Sequence, residues 1–339
     1  AGTQAERDLT MATILSLWSI LGLGVAFHKA SRGFDTVWIG ARFRLSADTV
    51  IVSINPDLLS ELHELILQLL GKPIAPIKSV RRLAGQANHI AGLVFAWRPF
   101  LSDLWGALKK ANAQPSRIGG HVFVRQIRSC LSWLDCFLTH QCGTLERHYS
   151  LRHHFNEGTP HLIAFDASLW GFGAILMRDG VITHYLYDAI SPEDVKKYGR
   201  KVGCDKGQQT WEALGMLVSL RCWQHVWADA RSCLTLQGDS LTALFMAAST
   251  HSKSDINVHI ARELAMLLGN ASYRPDVIEH IPGLSNIIPD FLSRIYEPGK
   301  TATPWPALLA EAQRTPVPAR GISWYLAAAT PRRASRIRA

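Results

Sequence analysis

Four carboxylates, Asp166, Glu212, Asp239 and Asp290, each stand where the residue pattern ends a strand or begins a helix. Acidic oxygens from four separate elements, brought to one end of a sheet, are what a nuclease needs to hold two divalent cations over a phosphodiester. The first lies in HLIAFDASLWGFGAILM, where an apolar strand runs into Asp166 and a Gly-x-Gly turn feeds a second strand. The last lies in EHIPGLSNIIPDFLSR, ten residues after His280.

Each carboxylate also has a plainer reading. Asp166 at a strand end can cap the turn at 171–173. Glu212, placed in the first turn of a helix, can favour the helix dipole. Asp239 and Asp290 can cap the helices they precede or open, and His280 can be an ordinary strand-end histidine. The conjunction is harder to explain this way. Four converging anions repel and raise one another's pKa unless cations balance them, which points to two Mg²⁺, with Mn²⁺ as a substitute.

The elements that must position these residues follow from periodicity. Strands are expected at 161–166, 172–177 and 181–187, the last two joined by the hairpin signal Arg178-Asp179-Gly180. A Lys/Gly-rich loop (191–207) leads to a helix near Gln209. A strand over 233–238, helices over 240–249 and 257–269, a strand over 276–280 and a helix over 288–295 complete the unit. The order β-β-β-α-β-α-α-β-α predicts an α/β fold, a mixed five-stranded sheet flanked by helices.

The first 154 residues read differently. Strands are expected over 36–44 and 49–54. A helix follows Asn55-Pro56, a side-chain cap and then a proline where no amide hydrogen is needed, and Gly71 stops it. A second helix over 77–94 has Val80, Leu83, Ala84, Ala87, Ile90 and Ala91 on one face and Lys78, Arg81, Arg82 and Gln86 on the other. Helices over 99–110 and 124–140 follow. Residues 9–27 carry no charge, nearly the length of a membrane span, but Thr10, Thr13, Ser16 and Ser19 mark a polar stripe. A buried helix followed by a strand is expected there, with no membrane partner.

The chain has 339 residues and a net charge of +9, unevenly placed. Residues 1–154 carry +7, 155–296 carry −3 and 297–339 carry +5. A polyanion would be gripped by the flanks and met by metal in the middle. Cys130, Cys136 and Cys142 are six residues apart, which suits buried thiols better than a zinc site helped by His140 or His148. The segment 297–339, with six prolines and six arginines, reads as a linker or disordered arm.

FDASLWGFGAIL, QTWEALGMLVSL, LQGDSLTAL and HIPGLSNIIPDFLSR resemble the four blocks of the ribonuclease H domain of retroelement polyproteins, those of LTR retrotransposons and most of all DIRS-type elements. The resemblance covers about 155–296. It implies a ribonuclease H-like domain in which Asp166 bridges two metals, Glu212 and Asp239 bind one each, Asp290 completes the second site, and His280 assists product release. GLGVAFHKASRG and VWIGARF are similar to the last palm strands and primer-grip hairpin of reverse transcriptase, and SVRRLAGQANHIAGLVFAWRPFLSDLWGAL to its thumb and connection. This implies that Lys78, Arg81, Arg82, Gln86, Trp38 and Gly40 contact nucleic acid; a plain solvated face stays open for the helix residues.

Three departures qualify the resemblance. No Tyr-x-Asp-Asp element occurs, so DNA synthesis by this chain alone is not expected, and upstream fingers and palm of a longer polyprotein are expected as partner. Pro289 replaces the family's usual alanine and threatens the placing of Asp290. The link over 249–257 has no room for a basic protrusion, so the acidic domain must borrow affinity from the thumb. The expected activity is cleavage of the RNA strand of an RNA–DNA hybrid; a decayed, non-catalytic nucleic-acid-binding remnant is the alternative.

Overall fold

The computed structural model describes residues 3–29, 31–113, 119–151, 159–228, 232–252, 254, 256–269, 271, 277–300 and 304–326. Helix α1 (Gln4–Ile20) opens with a capping box in which Thr3 accepts from the Glu6 amide and Glu6 from that of Thr3. No residue of α1 is buried, and residues 23–26 form no strand, so the expected buried helix and following strand are corrected. The polar stripe turns inward on the helix itself: Thr10 and Thr13 donate to the carbonyls of Glu6 and Leu9. Among the described residues no helix is long and apolar enough to cross a membrane.

The strand expected over 36–44 is two strands, β1 (Asp35–Trp38) and β2 (Ala41–Leu45). Ile39 and Gly40 both take positive φ, 48° and 76°, the backbone of a type I′ turn, and the chain reverses. β2 pairs with β3 (Thr49–Ile54), and β6 (Glu146–Ser150) pairs with the far edge of β3. The small hairpin is therefore a four-stranded antiparallel sheet, β1-β2-β3-β6. β6 is short and charged, and only its partner reveals it; Arg44 reaches Glu146 at 2.7 Å across the sheet.

Helix α2 (Pro56–Leu70) starts as expected, with Asn55 Oδ1 accepting from the Asp57 amide at 3.1 Å. After the short β4 (Ile74–Pro76), α3 (Ile77–Leu93) buries the face read from its periodicity, Val80 through Ala91. Pro99 stays in a 3-10 turn (Phe95–Phe100) ahead of α4 (Ser102–Ala113). β5 (His121–Phe123) pairs with β4 and leads into α5 (Val124–Leu138). Trp97, Phe100, Trp133 and Phe137 pack ring against ring, tilted or edge-on, in this first core. Cys130 and Cys136 are buried in free form and Cys142 is half-buried; burial raises the Cys130 thiol pKa.

The second unit begins with the meander β7 (Thr159–Ala167), β8 (Gly171–Arg178) and β9 (Val181–Ala189), turning at Asp179-Gly180 as read. Helix α6 (Pro192–Tyr198) occupies part of the expected loop, started by a capping box between Ser191 and Asp194. Then come α7 (Gln208–Cys222), α8 (Gln224–Trp227), β10 (Ser232–Gly238), α9 (Leu241–Ser249), α10 (Asn257–Gly269), β11 (Val277–His280) and α11 (Ile287–Ser293). β10 runs parallel to β7, and β11 parallel to β10. The order β11-β10-β7-β8-β9, three antiparallel strands flanked by two parallel ones, with α7 and α10 on one face and α11 on the other, is a ribonuclease H-like fold. Alternation along β7 decides the faces: Ile163, Phe165 and Ala167 enter the α7–α10 core, and Ala164 turns to α11. α10 serves both units, with Leu264, Leu267 and Leu268 in this core and Met266 in the first. The boundary expected at 154/155 lies outside the described residues.

The C-terminal stretch departs most from expectation. Residues 304–326 lie along the domain as a strap, and β12 (Gln313–Arg314) adds a sixth strand parallel to β9. Trp305 packs edge-on to Tyr185, Tyr187 and Phe291. Arg320, 3% exposed, donates to both oxygens of fully buried Asp194, to Asp188 at 2.6 Å and to the Ala189 carbonyl at 2.7 Å. Tyr325 donates to Asp194 at 3.0 Å. Proline here stiffens an extended segment that docks through side chains, rather than keeping it apart. The four remaining arginines, in 327–339, lie outside the described residues. Removing one partner of a buried charge network typically costs about 3–5 kcal/mol. Arg320→Ala is accordingly expected to lower unfolding free energy by about that amount in urea titration; a loss below about 1 kcal/mol would mean that the strap is not part of the folded unit.

Candidate active site

β7 delivers Asp166 opposite Gly173 of β8. A Cβ at Gly173 would overlap Leu292 and stand 2.8 Å from the Ser293 nitrogen; the Gly-x-Gly expected as a turn opens β8 instead and lets α11 lie directly on the sheet. That contact brings the Ser293 hydroxyl 2.7 Å from Asp166 Oδ2, to which it donates. Asn286 Nδ2 donates to the Phe165 carbonyl at 2.9 Å and pins the start of α11 to the same strand. Pro289 does not shift the start of α11, which lies at Ile287. It is the third residue of α11, where the amide has no helical partner anyway, and the Asp290 amide donates to the Asn286 carbonyl at 3.0 Å. Arg294 donates to Asp290 Oδ1 at 2.6 Å.

β10 pairs in parallel with β7 up to Gln237 opposite Ala164. Asp239 follows β10 by one residue, so this parallel register carries it to the end of the sheet where Asp166 lies. The capping reading of Asp239 fails, because Ser240 is the N-cap of α9 and accepts from the Ala243 amide. Ser240 also donates to Glu212 Oε2 at 2.6 Å. Gln208 donates to Glu212 Oε1 at 3.1 Å and to the Ala167 carbonyl at 2.6 Å, tying α7 to the end of β7. Glu212 is the fifth residue of α7, past the first turn expected for it, so the dipole reading loses force as well. His280, opposite Gly238 on β11, lies 3.1 Å from the Asp239 carbonyl through Nε2.

The electrostatics join these residues. Burial pushes the Asp166 carboxyl up to about 7; the Ser293 hydrogen bond opposes this, the charges of Asp239 and Asp290 add to it, and Arg294 again opposes. Burial raises Glu212 too, against the hydrogen bonds from Ser240 and Gln208 and with the charge of Asp239. Asp166 thus feels Asp239 and Asp290, and Glu212 feels Asp239. They are neighbours rather than a closed cage: among the described residues no three His, Cys, Asp or Glu side chains are gathered to hold one metal ion, and Asp166, Glu212 and Asp290 each face protein donors instead. The donor set, all carboxylate oxygen, suits Mg²⁺ or Mn²⁺. Ser240, Gln208 and Ser293, which orient the carboxylates, were missed from sequence; their adjacency to Asp239, Glu212 and Asp290 was the available signal.

Beside the carboxylates opens a cleft of about 740 Å³, lined by Glu212 and Asp239 and by Arg200 and Lys206 from the approach to α7. The residues expected to touch nucleic acid in the first unit lie apart from it, around α3. Trp38 is exposed at the hairpin tip, and His89 of α3 reaches the Ile39 carbonyl at 3.0 Å beside the Gly40 turn. Lys78 is exposed and Gln86 half-buried. Arg81 donates to Asn112 at 2.7 Å and Arg82 lies 3.4 Å from Glu61, so both exposed arginines also brace their helix.

A buried carboxyl with a raised pKa has a signed effect on stability. Between its ordinary value near 4 and about 7, the unfolded chain has lost the proton that the folded chain keeps, so stability falls as pH rises through that window. In metal-free protein at pH 8, Asp166→Asn is expected to raise unfolding free energy by about 2–4 kcal/mol and to flatten its decline between pH 4 and 7. Denaturant titrations across pH check this; an unchanged profile would remove the electrostatic coupling. Gly173→Ala is expected to push α11 off the sheet, costing about 1–3 kcal/mol by overpacking, read from the same titrations.

No family model matches the chain, and no curated protein matches it. Among solved structures it is similar to RNase H1 from the halophilic archaeon Halobacterium salinarum NRC-1, at 22% identity over 39% of this chain and 93% of that one, with a TM-score of 0.29. It is similar to the N-terminal RNase H domain of a Mycobacterium tuberculosis protein at 15% identity, over 39% and 95%, with a TM-score of 0.30. It is also similar to a foamy viral protease-reverse transcriptase solved with RNA/DNA hybrid, at 12% identity and a TM-score of 0.30, over 90% of this chain and 36% of the viral one. The ribonuclease H-like fold itself stands on the strand order and layers described above.

Proposed function

We propose that the chain is a divalent-metal-dependent endonuclease that cuts the RNA strand of RNA–DNA hybrids, as the downstream part of a retroelement reverse transcriptase of LTR or DIRS type. The observation that carries this is Asp166, a strand-end carboxyl driven to about 7 by burial, with the charges of Asp239 and Asp290 adding to it. Carboxyls perturbed by burial and by like charges gather at functional sites. Asp166, Glu212, Asp239 and Asp290 would hold two Mg²⁺, whose chemistry there is to make water a nucleophile and to stabilise the departing oxygen.

The chain's own residues do the rest. Ser293 orients Asp166, Ser240 and Gln208 orient Glu212, and Arg294 steadies Asp290. Water attacks phosphorus in line and leaves 3′-hydroxyl and 5′-phosphate ends, and His280, anchored on the Asp239 backbone, stands where product leaves. Selection of the RNA strand falls to contacts with 2′-hydroxyls. Lys78, Arg81, Arg82 and Gln86 of α3, with Trp38 and Gly40 of the hairpin, hold the hybrid backbone. The upstream fingers and palm of the same polyprotein are the partner, and this chain alone does not synthesise DNA.

A second reading has its own support. The Arg294–Asp290 pair and the open spacing of the carboxylates suit a remnant that binds nucleic acid without turnover. Titration of Mg²⁺ and Mn²⁺ against a labelled hybrid separates the two, since a remnant binds and never cuts. Asp166→Asn is expected to abolish cleavage with an unchanged circular dichroism spectrum; a variant that cuts as well as the parent would defeat the enzyme reading. Reversing Arg81 and Arg82 to Glu is expected to weaken hybrid binding and reduce the slope of log affinity against log salt by about 2, with unchanged affinity removing α3 from the interface.

A further inference from the structure

A second cleft, of about 960 Å³, lies where α4 of the first unit meets α10 and the residues just after α9. Lys109 and Lys110 line it from α4, and His251, His259 and Arg262 from the other side. Among the described lining residues the acid is Asp103, which Arg262 engages at 3.5 Å. Arg262, 8% exposed, holds its guanidinium over the Phe100 ring and beside Asp103, so its charge lies just behind the cleft wall. Burial lowers the pKa of His259, and the charges of Arg262 and Lys197 lower it further against Asp103, as expected where the local potential is positive. Trp105, half exposed, also lines the cleft.

The position matters as much as the charge. Residues 155–296 carry a net −3, so cations supplied by another segment add to this domain's hold on a polyanion. α4 supplies them here. α9 connects the two clefts: Leu241 and Thr242 at its start line the carboxylate cleft, and His251, just past its end, lines this one. Nine helical residues span about 13 Å, and a duplex strand advances about 3.4 Å per nucleotide, so the clefts are roughly four nucleotides apart.

We propose that the α4–α10 cleft is a second anion site, which seats a backbone phosphate of a nucleic-acid strand about four nucleotides from the carboxylates. It rests on the nucleic-acid reading above and adds to it a site shared by both units. Lys109 and Lys110 make the contact, and Arg262, paired with Asp103, adds charge behind them. Phosphate is bound here by charge and donors, without reading of base sequence.

The test uses the full chain carrying Asp166→Asn, so that hybrid is bound uncut, and reads acetylation of each lysine by mass spectrometry. A 20-base-pair RNA–DNA hybrid is expected to slow acetylation of Lys109 and Lys110 about threefold or more, as a cation paired with phosphate reacts less; inorganic phosphate alone at equal phosphate concentration is expected to do little. In parallel, K109E/K110E, at exposed helix positions, is expected to weaken hybrid binding about tenfold at low salt and to reduce the salt slope by about 1–2. Open lysines at full occupancy, or unchanged affinity in the double variant, would overturn the site. Protection by inorganic phosphate without protection by hybrid would overturn its assignment to a strand. The two readings separate cleanly: a parent chain that cuts hybrid with Lys109 and Lys110 open keeps the enzyme and loses the site, while protection in a chain that never cuts keeps the site and loses the enzyme.

Discussion

The close approach of α11 to β8 is the contact on which the candidate site depends. It exists because Gly173 has no side chain where Leu292 and Ser293 must pass. From that contact follow the Ser293–Asp166 hydrogen bond, the nearness of Asp290, and the burial that drives Asp166 to about 7. A larger residue at 173 would leave each of these groups in place in the chain and dissolve their relation in space. The electrostatic tension at Asp166 is thus a packing result: helix and sheet are pressed together over a charge that neither would bury alone.

A second buried charge system holds the opposite edge of the same domain. Arg320 brings the C-terminal strap to Asp188 and Asp194, Tyr325 adds a hydrogen bond and a ring in the core, and Arg221 bridges Glu263 and the Trp324 carbonyl. The strap extends the sheet beyond β9, covering an edge that would otherwise present unpaired backbone. On the far side, α10 belongs to two cores at once through Met266 and Leu267. The acidic domain is therefore enclosed by segments of basic flanking sequence, and both clefts lie where those flanks or loops bring cations beside it.

Much of this was legible locally. The apolar run HLIAF, the Asp179-Gly180 turn, the Asn55-Pro56 start and the buried face of α3 are legible because each is decided by residues within a few positions of one another. The capping box of α6, Ser191-Pro-Glu-Asp, was equally legible and was passed over for the lysines and glycines around it. The turn at Ile39-Gly40 was hidden because a β-branched residue rarely takes positive φ. β6 and β12 carry no pattern of their own and are strands only because β3 and β9 offer them edges.

By itself the amino-acid order determined which carboxylates end strands or enter helices, and hence which side chains could share one end of a sheet. Only the tertiary structure decided that Asp166 is the buried member, that Ser240 rather than Asp239 caps α9, that a proline-rich segment is a docked strap, and that lysines of α4 face a cleft beside α10. The physical reason is range. Strand and helix signals arise from neighbours along the chain, whereas burial and charge coupling arise between residues such as Asp166 and Ser293, or Asp194 and Arg320, that meet only after the chain has folded.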